Sequence, residues 1–429
     1  MVSIDSLVRV AAPSATAPLG SSSAVSGAAA QPAQSSGDSS LKDRFVHQAP
    51  LEASFPKSSS WQQGAAEVGT GEREGGGEEA PLDVADLVMG INEVHQMGYT
   101  GRGQTIAVID SGIAPHPDLA DKITGWVDLV DGSLKPTDTD GHGTHVAGIA
   151  AGTGKASQGV FKGIAPEANL VGVRVGGTSD AIKGLQWVVE NKDRLGIGVV
   201  NLSLGIVTAA VSYQDDPLCQ AVEKAIQAGL IVCAAAGNFG ELGSYVTSPG
   251  NHPDVITVGA LDDRGTVDRS DDRVAPFSSR GDPYMPGETK PDLLAPGVKV
   301  IAPRAEGAKR AVGLAHKLYF DGQYVSMNGT SMATPMVSGL AACLKQANPT
   351  LDHYAMREIL MRSCDRYLDD PANAQGKGLV NAPKALELAL SKDIAESVRE
   401  LQGQSAPVKE FDFGYERLQN VSDQGFKLA

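Results

Sequence analysis

Three polar residues stand in contexts that suit acid–base and nucleophilic chemistry: Asp110, His142 and Ser331. A carboxylate can hold one ring nitrogen of an imidazole while the other nitrogen takes a proton from a hydroxyl, which makes that hydroxyl a nucleophile. Asp110 ends the run Gln104-Thr-Ile-Ala-Val-Ile-Asp110 and is followed by Ser111-Gly112, which leaves its carboxylate at the rim of a sheet. Taken alone, it reads rather as a turn or cap aspartate. His142 lies in Asp140-Gly-His-Gly-Thr-His-Val-Ala-Gly148, where Gly141 and Gly143 let backbone crowd close to the imidazole. His142 and His145 also suggest a metal pair or ordinary helix-end histidines, but the glutamate of an HExxH motif and any nearby cysteine are missing. Ser331 lies in Asn328-Gly-Thr-Ser331-Met-Ala-Thr-Pro-Met-Val-Ser-Gly339, a Gly-Thr turn leading into a small-residue helix that starts at the serine. There it is a plain N-cap, or else it presents its own N–H and the positive end of the helix dipole to a developing negative charge.

The elements that must position these residues alternate. Gln104 to Asp110 and Ala168 to Val175 are short β-branched runs bounded by glycine, as fully buried parallel strands are. Ser179 is expected to cap a helix carrying Ile182, Leu185, Val188 and Val189, with Gly196 stopping it before a strand from Ile197 to Leu204. Asp216-Pro217 opens a second helix with Leu218, Val222 and Ile226 on one face, Gly229 closes it, and Leu230 to Ala235 returns as a strand. Val255 to Leu261 and Val298 to Ala302 supply further strands. Such βαβ units predict an α/β fold, a mostly parallel central sheet with helices on both faces, in one domain over residues 81–392. Open parallel sheets bind ligands beyond the carboxyl ends of their strands, where Asp110 lies.

The three segments together resemble the subtilisin-like serine proteases, the subtilase family (peptidase S8), over residues 84 to 392. Ile106-Ala-Val-Ile-Asp110-Ser-Gly matches the family's Asp signature, His142-Gly-Thr-His-Val-Ala-Gly148 its His signature, and Gly329-Thr-Ser331-Met-Ala-Thr-Pro335 its Ser signature. The order Asp, His, Ser is that of subtilisin. The resemblance implies a three-layer fold and a serine endopeptidase in which Asp110, His142 and Ser331 form the triad. Asn238, at the end of Cys233-Ala-Ala-Ala236-Gly237-Asn238, would be the second oxyanion donor. Asn201-Leu-Ser203-Leu204-Gly205 would pair with an extended peptide substrate, with Ala236 and Gly237 across the cleft. Ile206 stands where many relatives have a second glycine, and its bulk is expected to narrow the pocket entry. His145, His116 and Asp118 are assigned structural roles. No cofactor is needed for the chemistry. Calcium commonly stabilises the family, yet Gly152-Thr-Gly-Lys-Ala-Ser-Gln-Gly159 holds no carboxylate, and Asp262, Asp263, Asp271 and Asp272 read as a calcium site or as a solvated acidic loop. The alternative is a catalytically silent subtilase-fold module that binds peptides in the same cleft. A different hydrolase fold would need a GxSxG elbow and another triad order.

A formal net charge of −15 without a Lys/Arg block argues against a nucleic-acid partner. The longest apolar run, Leu230 to Ala236, falls far short of the roughly 20 residues of a membrane helix. Cys219, Cys233, Cys343 and Cys364 are widely spaced and read as small buried hydrophobes, with a disulfide left open. Residues 11–40 hold nine Ser and nine Ala against a single Leu, too little apolar surface to offset ordering, so residues 1–80 are expected to be disordered. Within them Phe45 to Trp61 is either a linker with stray apolar residues or a segment that docks on the enzyme and inhibits it. Residues 393–429 form a tail with Phe411, Phe413 and Tyr415 as docking points and no readable role. The N-terminus shows no secretory h-region, which points to a cytoplasmic enzyme, or to export by a signal-independent route.

Overall fold

The structure, a computed structural model, describes residues 84–207, 210, 212–240, 245–281, 290–309, 318–366, 368–391 and 426–428. The expectations for residues 1–80 and for Phe411, Phe413 and Tyr415 fall outside those residues.

Two short helices, α1 (Val84–Met89) and α2 (Ile91–Gln96), lead into β1 (Thr105–Asp110), β2 (Ile123–Asp128), α3 (His142–Ala151) and β3 (Asn169–Arg174). The next units are α4 (Thr178–Leu195), β4 (Ile197–Leu202), β5 (Leu204–Ile206), α5 (Pro217–Gln227), β6 (Ile231–Ala235) and β7 (Ile256–Asp262). Then come β8 (Arg273–Val274), β9 (Leu293–Pro296), β10 (Val300–Pro303), β11 (Leu318–Tyr319) and β12 (Tyr324–Met327). The helices α6 (Thr330–Ala347), α7 (His353–Ser363), α8 (Ala372–Gln375) and α9 (Ala382–Leu390) follow, and β13 (Phe426–Leu428) is last.

The main sheet runs β2-β3-β1-β4-β6-β7-β8, with β9 also on β7, and every pairing is parallel except β7 with β8. Its strands are buried from end to end at β1, β6 and β7, which is why they read as unbroken apolar runs. One face carries α3 and α6, packed on each other. The other carries α4 and α5, whose Ile182, Leu185, Val188, Leu218, Val222 and Ile226 meet Val171, Val173 and Val200 of the sheet. The three layers predicted for this fold class are present.

Local chemistry sets the helix ends. Asp216 caps α5 by accepting from the N–H groups of Leu218 (2.8 Å) and Cys219 (3.2 Å), with Pro217 as its first residue. Gly196 ends α4 in the left-handed conformation at φ 66°. Ser179 is not the cap of α4: the helix starts two residues earlier than such a cap implies, Gly177 takes the cap position, and no side chain caps it. The strand predicted from Ile197 to Leu204 is interrupted at Ser203, which separates β4 from β5. Val300–Pro303 joins no parallel sheet, since β10 pairs antiparallel with β12 and β12 with β11 in a separate three-stranded sheet. The strand β2 lacks any apolar run, being only partly buried except at Asp128, and was not expected.

All four cysteines are free thiols, three of them buried. Burial pushes Cys233 and Cys343 up to about 12, so they act as apolar filling.

Behind β6, the first residue of α7 is held as a neutral imidazole. His353 accepts the Val232 N–H at Nδ1 (3.2 Å) and donates from Nε2 to the Asp254 carbonyl (2.7 Å). Burial foremost, with Arg357 and Lys290 adding, holds its pKa down to about 4. Burial and the same two cations also hold His252 down to about 4. Between pH 6.5 and 4 the unfolded chain therefore binds protons that the folded chain refuses. Stability is full above about 6.5 and is lost as pH falls toward 4, by an amount on the order of a few kcal/mol. The urea midpoint is expected to drop steadily between pH 7 and 4.5. His353→Gln should flatten that slope; a midpoint constant over the range would contradict the account.

Candidate active site

The chain reverses direction across the sheet at β1, which pairs with β3 on one side and β4 on the other, so a crevice opens beyond the carboxyl ends of β1 and β4. Asp110 is the last residue of β1 and has no exposed surface. Its Oδ1 accepts from the Ser111 N–H (2.7 Å) and from Nδ1 of His142 (2.7 Å). His142 is the first residue of α3 and is 2% exposed, so this ion-pair-ready contact is shielded from water.

Two glycines make the approach possible. Gly141 precedes the helix at φ 97°, a left-handed turn that a side chain would strain. A Cβ on Gly143 would lie 2.1 Å from the Gly112 carbonyl and 3.1 Å from the Asp110 Cβ. Nothing larger than glycine fits between α3 and the end of β1.

Asp138 holds this junction together and went unnoticed in the sequence. Its Oδ1 accepts from Ser111 Oγ (2.9 Å), Asp140 N–H (3.1 Å) and Gly141 N–H (2.8 Å), and its Oδ2 accepts from Thr144 N–H (2.9 Å) and Oγ1 (2.7 Å). Ser111 Oγ in turn accepts the Gly143 N–H at 2.9 Å. One buried carboxylate thus satisfies first-turn amides of α3 and ties them to the residue after Asp110. The signal available was an Asp four residues before His142, which by itself does not differ from any loop aspartate.

Ser331 is the second residue of α6, behind a Gly329 cap and Thr330, so the helix starts one residue earlier than expected. Its N–H belongs to the first turn, whose amides find no carbonyl within the helix. Its hydroxyl donates to the Ser203 carbonyl at 3.0 Å, and Ser203 Oγ donates to the Ser331 carbonyl at 2.9 Å. Asn201 Nδ2 supports Ser203 Oγ (3.0 Å), and Ser338 Oγ donates to Asn201 Oδ1 (2.9 Å). This buried relay clamps the end of β4 onto α6. His142 and Ser331 are not hydrogen-bonded to each other, and His142 Nε2 has no hydrogen-bond partner among the described residues.

Asn238 is exposed just beyond β6, and its Oδ1 accepts from Thr330 N–H (2.9 Å) and Thr330 Oγ1 (3.0 Å). A backbone N–H can only donate, so it must face the amide oxygen, which leaves Nδ2 as a donor beside the head of α6. Ala236 and Gly237 line this wall without spare N–H groups: Ala236 donates to the Val258 carbonyl (3.0 Å) and Gly237 to Thr330 Oγ1 (3.2 Å). Leu204 and Ile206 are buried in the apolar cluster of the α4/α5 face, and Gly205 lies between them. Ile206 exchanges both backbone bonds with Ser248, at 2.9 and 3.1 Å.

His145 and His116 are held by backbone partners. His145 meets the Val325 carbonyl at 3.0 Å, and His116 meets the Gln323 carbonyl at 3.0 Å while accepting the Asp118 N–H at 3.1 Å. Asp118 accepts from Tyr324 Oη (2.7 Å) and the Ala156 N–H (2.8 Å). The paired-histidine metal reading fails on geometry, because the two rings are turned to different partners. No group of three or more His, Cys, Asp or Glu suited to a metal occurs among the described residues. In the acidic loop, Asp262 is bound by Arg273 (2.8 Å), and burial, with Asp272 and Asp262 nearby, pushes Asp263 up to about 6.

Comparison with known proteins agrees with this geometry. The Subtilase family model (Peptidase S8) matches residues 101–380. The serine protease AprX of Bacillus subtilis (strain 168) is 43% identical over 319 residues, spanning 72% of this chain and 72% of AprX. Subtilisin BL of Lederbergia lenta is 36% identical over 297 residues, 68% of this chain and 93% of that protein. The solved structure of the S41 psychrophilic protease superposes with a TM-score of 0.54 at 31% identity, over 66% of this chain and 92% of its own. The chain therefore belongs to the subtilase family of serine-type peptidases.

Proposed function

We propose that this chain is an endopeptidase that cleaves protein or peptide substrates through an acyl-enzyme on Ser331. The observation that carries the reading is the buried 2.7 Å bond between Asp110 and His142 Nδ1, made at the head of a helix that packs against the helix bearing Ser331. Because Nδ1 faces a carboxylate, its proton stays there and Nε2 is left as the base.

Attack begins when the Ser331 hydroxyl turns from the Ser203 carbonyl to His142 Nε2, which takes its proton as Oγ adds to the scissile carbonyl. Asp110 offsets the charge of the imidazolium. The new oxyanion is received by the Ser331 N–H and Asn238 Nδ2, and the bonds from Thr330 to Asn238 Oδ1 support this reading by leaving Nδ2 as a donor. Collapse returns the proton from His142 to the leaving amine. Water then repeats the sequence on the ester and frees Ser331. Asp138 takes no part in these transfers but fixes the turn that carries His142.

The unaltered chain is expected to hydrolyse a fluorogenic peptide and to be labelled by a fluorophosphonate, and Ser331→Ala to abolish both. A folded chain that neither cleaves nor takes the label would instead fit a peptide-binding module. Asn238→Asp keeps the acceptor for Thr330 but removes the donor. Its turnover should fall about a hundred- to thousandfold with KM little changed, a size borrowed from the corresponding donor of subtilisin, a family relative. An Asn238→Asp variant with undiminished kcat would remove Asn238 from the oxyanion site.

A further inference from the structure

The strand β5, next to the nucleophile, is already paired. Residues Phe426, Lys427 and Leu428 run antiparallel to it, with Phe426 opposite Ile206, Lys427 opposite Gly205 and Leu428 opposite Leu204. Ile206 uses its N–H and carbonyl on Ser248, on the other side of the strand. Backbone groups alternate sides along a strand, so Gly205 is the residue that exchanges ladder bonds with Lys427. Leu428 is half-buried against the apolar cluster that contains Leu204 and Ile206.

The direction of this strand decides what it imitates. From Phe426 to Leu428 the chain moves along β5 toward Ser203, whose carbonyl holds the Ser331 hydroxyl at 3.0 Å. In an acyl transfer the part of a substrate that becomes esterified approaches the nucleophile with its carboxyl end leading. The segment 426–428 has that polarity. Gly205 offers one N–H and one carbonyl on this edge, so a second extended chain cannot pair there while the segment is in place.

We propose that Phe426–Leu428 is an intramolecular competitor that occupies the acyl-side half of the substrate cleft and must be displaced before a substrate binds. This rests on the function proposed above for Ser331 and names a regulator of the same site. A three-residue ladder is weak by itself, but a tethered segment competes at an effective concentration on the order of millimolar. The result is a cleft closed to poor substrates and open to those that pair better with β5. It raises KM and leaves the turnover of bound substrate unchanged.

The test compares the full chain with its Lys427→Pro variant, in which the amide that meets Gly205 is gone. With a short fluorogenic peptide, KM is expected to fall about tenfold in the variant at unchanged kcat. A synthetic peptide of residues 420–429 should then inhibit the variant competitively. Hydrogen exchange at the Gly205 amide, read in the Ser331→Ala background, supplies a measure independent of catalysis: protected in the full chain, fast when Lys427→Pro is added. Equal KM values, or where no form turns over, equal exchange in the two chains, would overturn the competitor. Loss of turnover in every form with the exchange difference intact would instead count against the catalytic reading and leave the tail in the cleft.

Discussion

A carboxylate without exposed surface has to be satisfied where it stands, and Asp110 sets that demand on everything around it. Its Oδ1 is met by the next residue's amide and by an imidazole that arrives from a separate helix, while Oδ2 has no hydrogen-bond partner among the described residues. For the imidazole to come within 2.7 Å, α3 must nearly touch the end of β1, which dictates glycine at 143. That contact in turn leaves helix-head amides with no room for water, and Asp138 takes them. Gly143, Ser111 and Asp138 are thus consequences of one desolvated ion-pair partner.

The second clamp joins the opposite wall. Ser203 and Ser331 each use a hydroxyl on the other's carbonyl, and Asn201 and Ser338 brace the pair. Since Asn201 and Ser203 sit at the end of β4 and Ser331 and Ser338 lie on α6, the helix cannot shift along the sheet without breaking several buried bonds at once. Thr330 extends the same fastening to Asn238. Ser331 and Asn238, the proposed oxyanion donors, are in this way fixed to the sheet through two different strands, β4 and β6.

Much of this could be read in the sequence, for reasons that differ by feature. The buried strands announced themselves because both faces of a parallel sheet are covered, and α5 because Asp216-Pro217 is a local capping signal. The Asp, His and Ser segments were readable because close approach demands small residues at fixed offsets. Asp138 escaped, as did the bracing contacts of Asn201 and Ser338, because the partners lie on other elements or are backbone amides that leave no mark on composition. The strand β2 escaped because it lies at the sheet's edge and is only partly buried. Val300–Pro303 was apolar enough for a strand, but nothing local could say that its partner would be a hairpin from 318 to 327. The pairing of 426–428 with β5 links residues more than two hundred positions apart, and such a contact has no local pattern to betray it.

The helix that carries Ser331 is buried continuously from Thr330 to Leu344 and is the central element of its face, yet it enters the fold after every strand of the main sheet has been made. A chain emerging from the ribosome begins folding from its N-terminal end. Asp110 and His142 can therefore be in place long before the Ser331 hydroxyl is. With Ser331 as the proposed nucleophile, nascent and half-folded chains, which expose the most cleavable backbone, lack it, and maturation is protected by the order in which the elements appear along the chain.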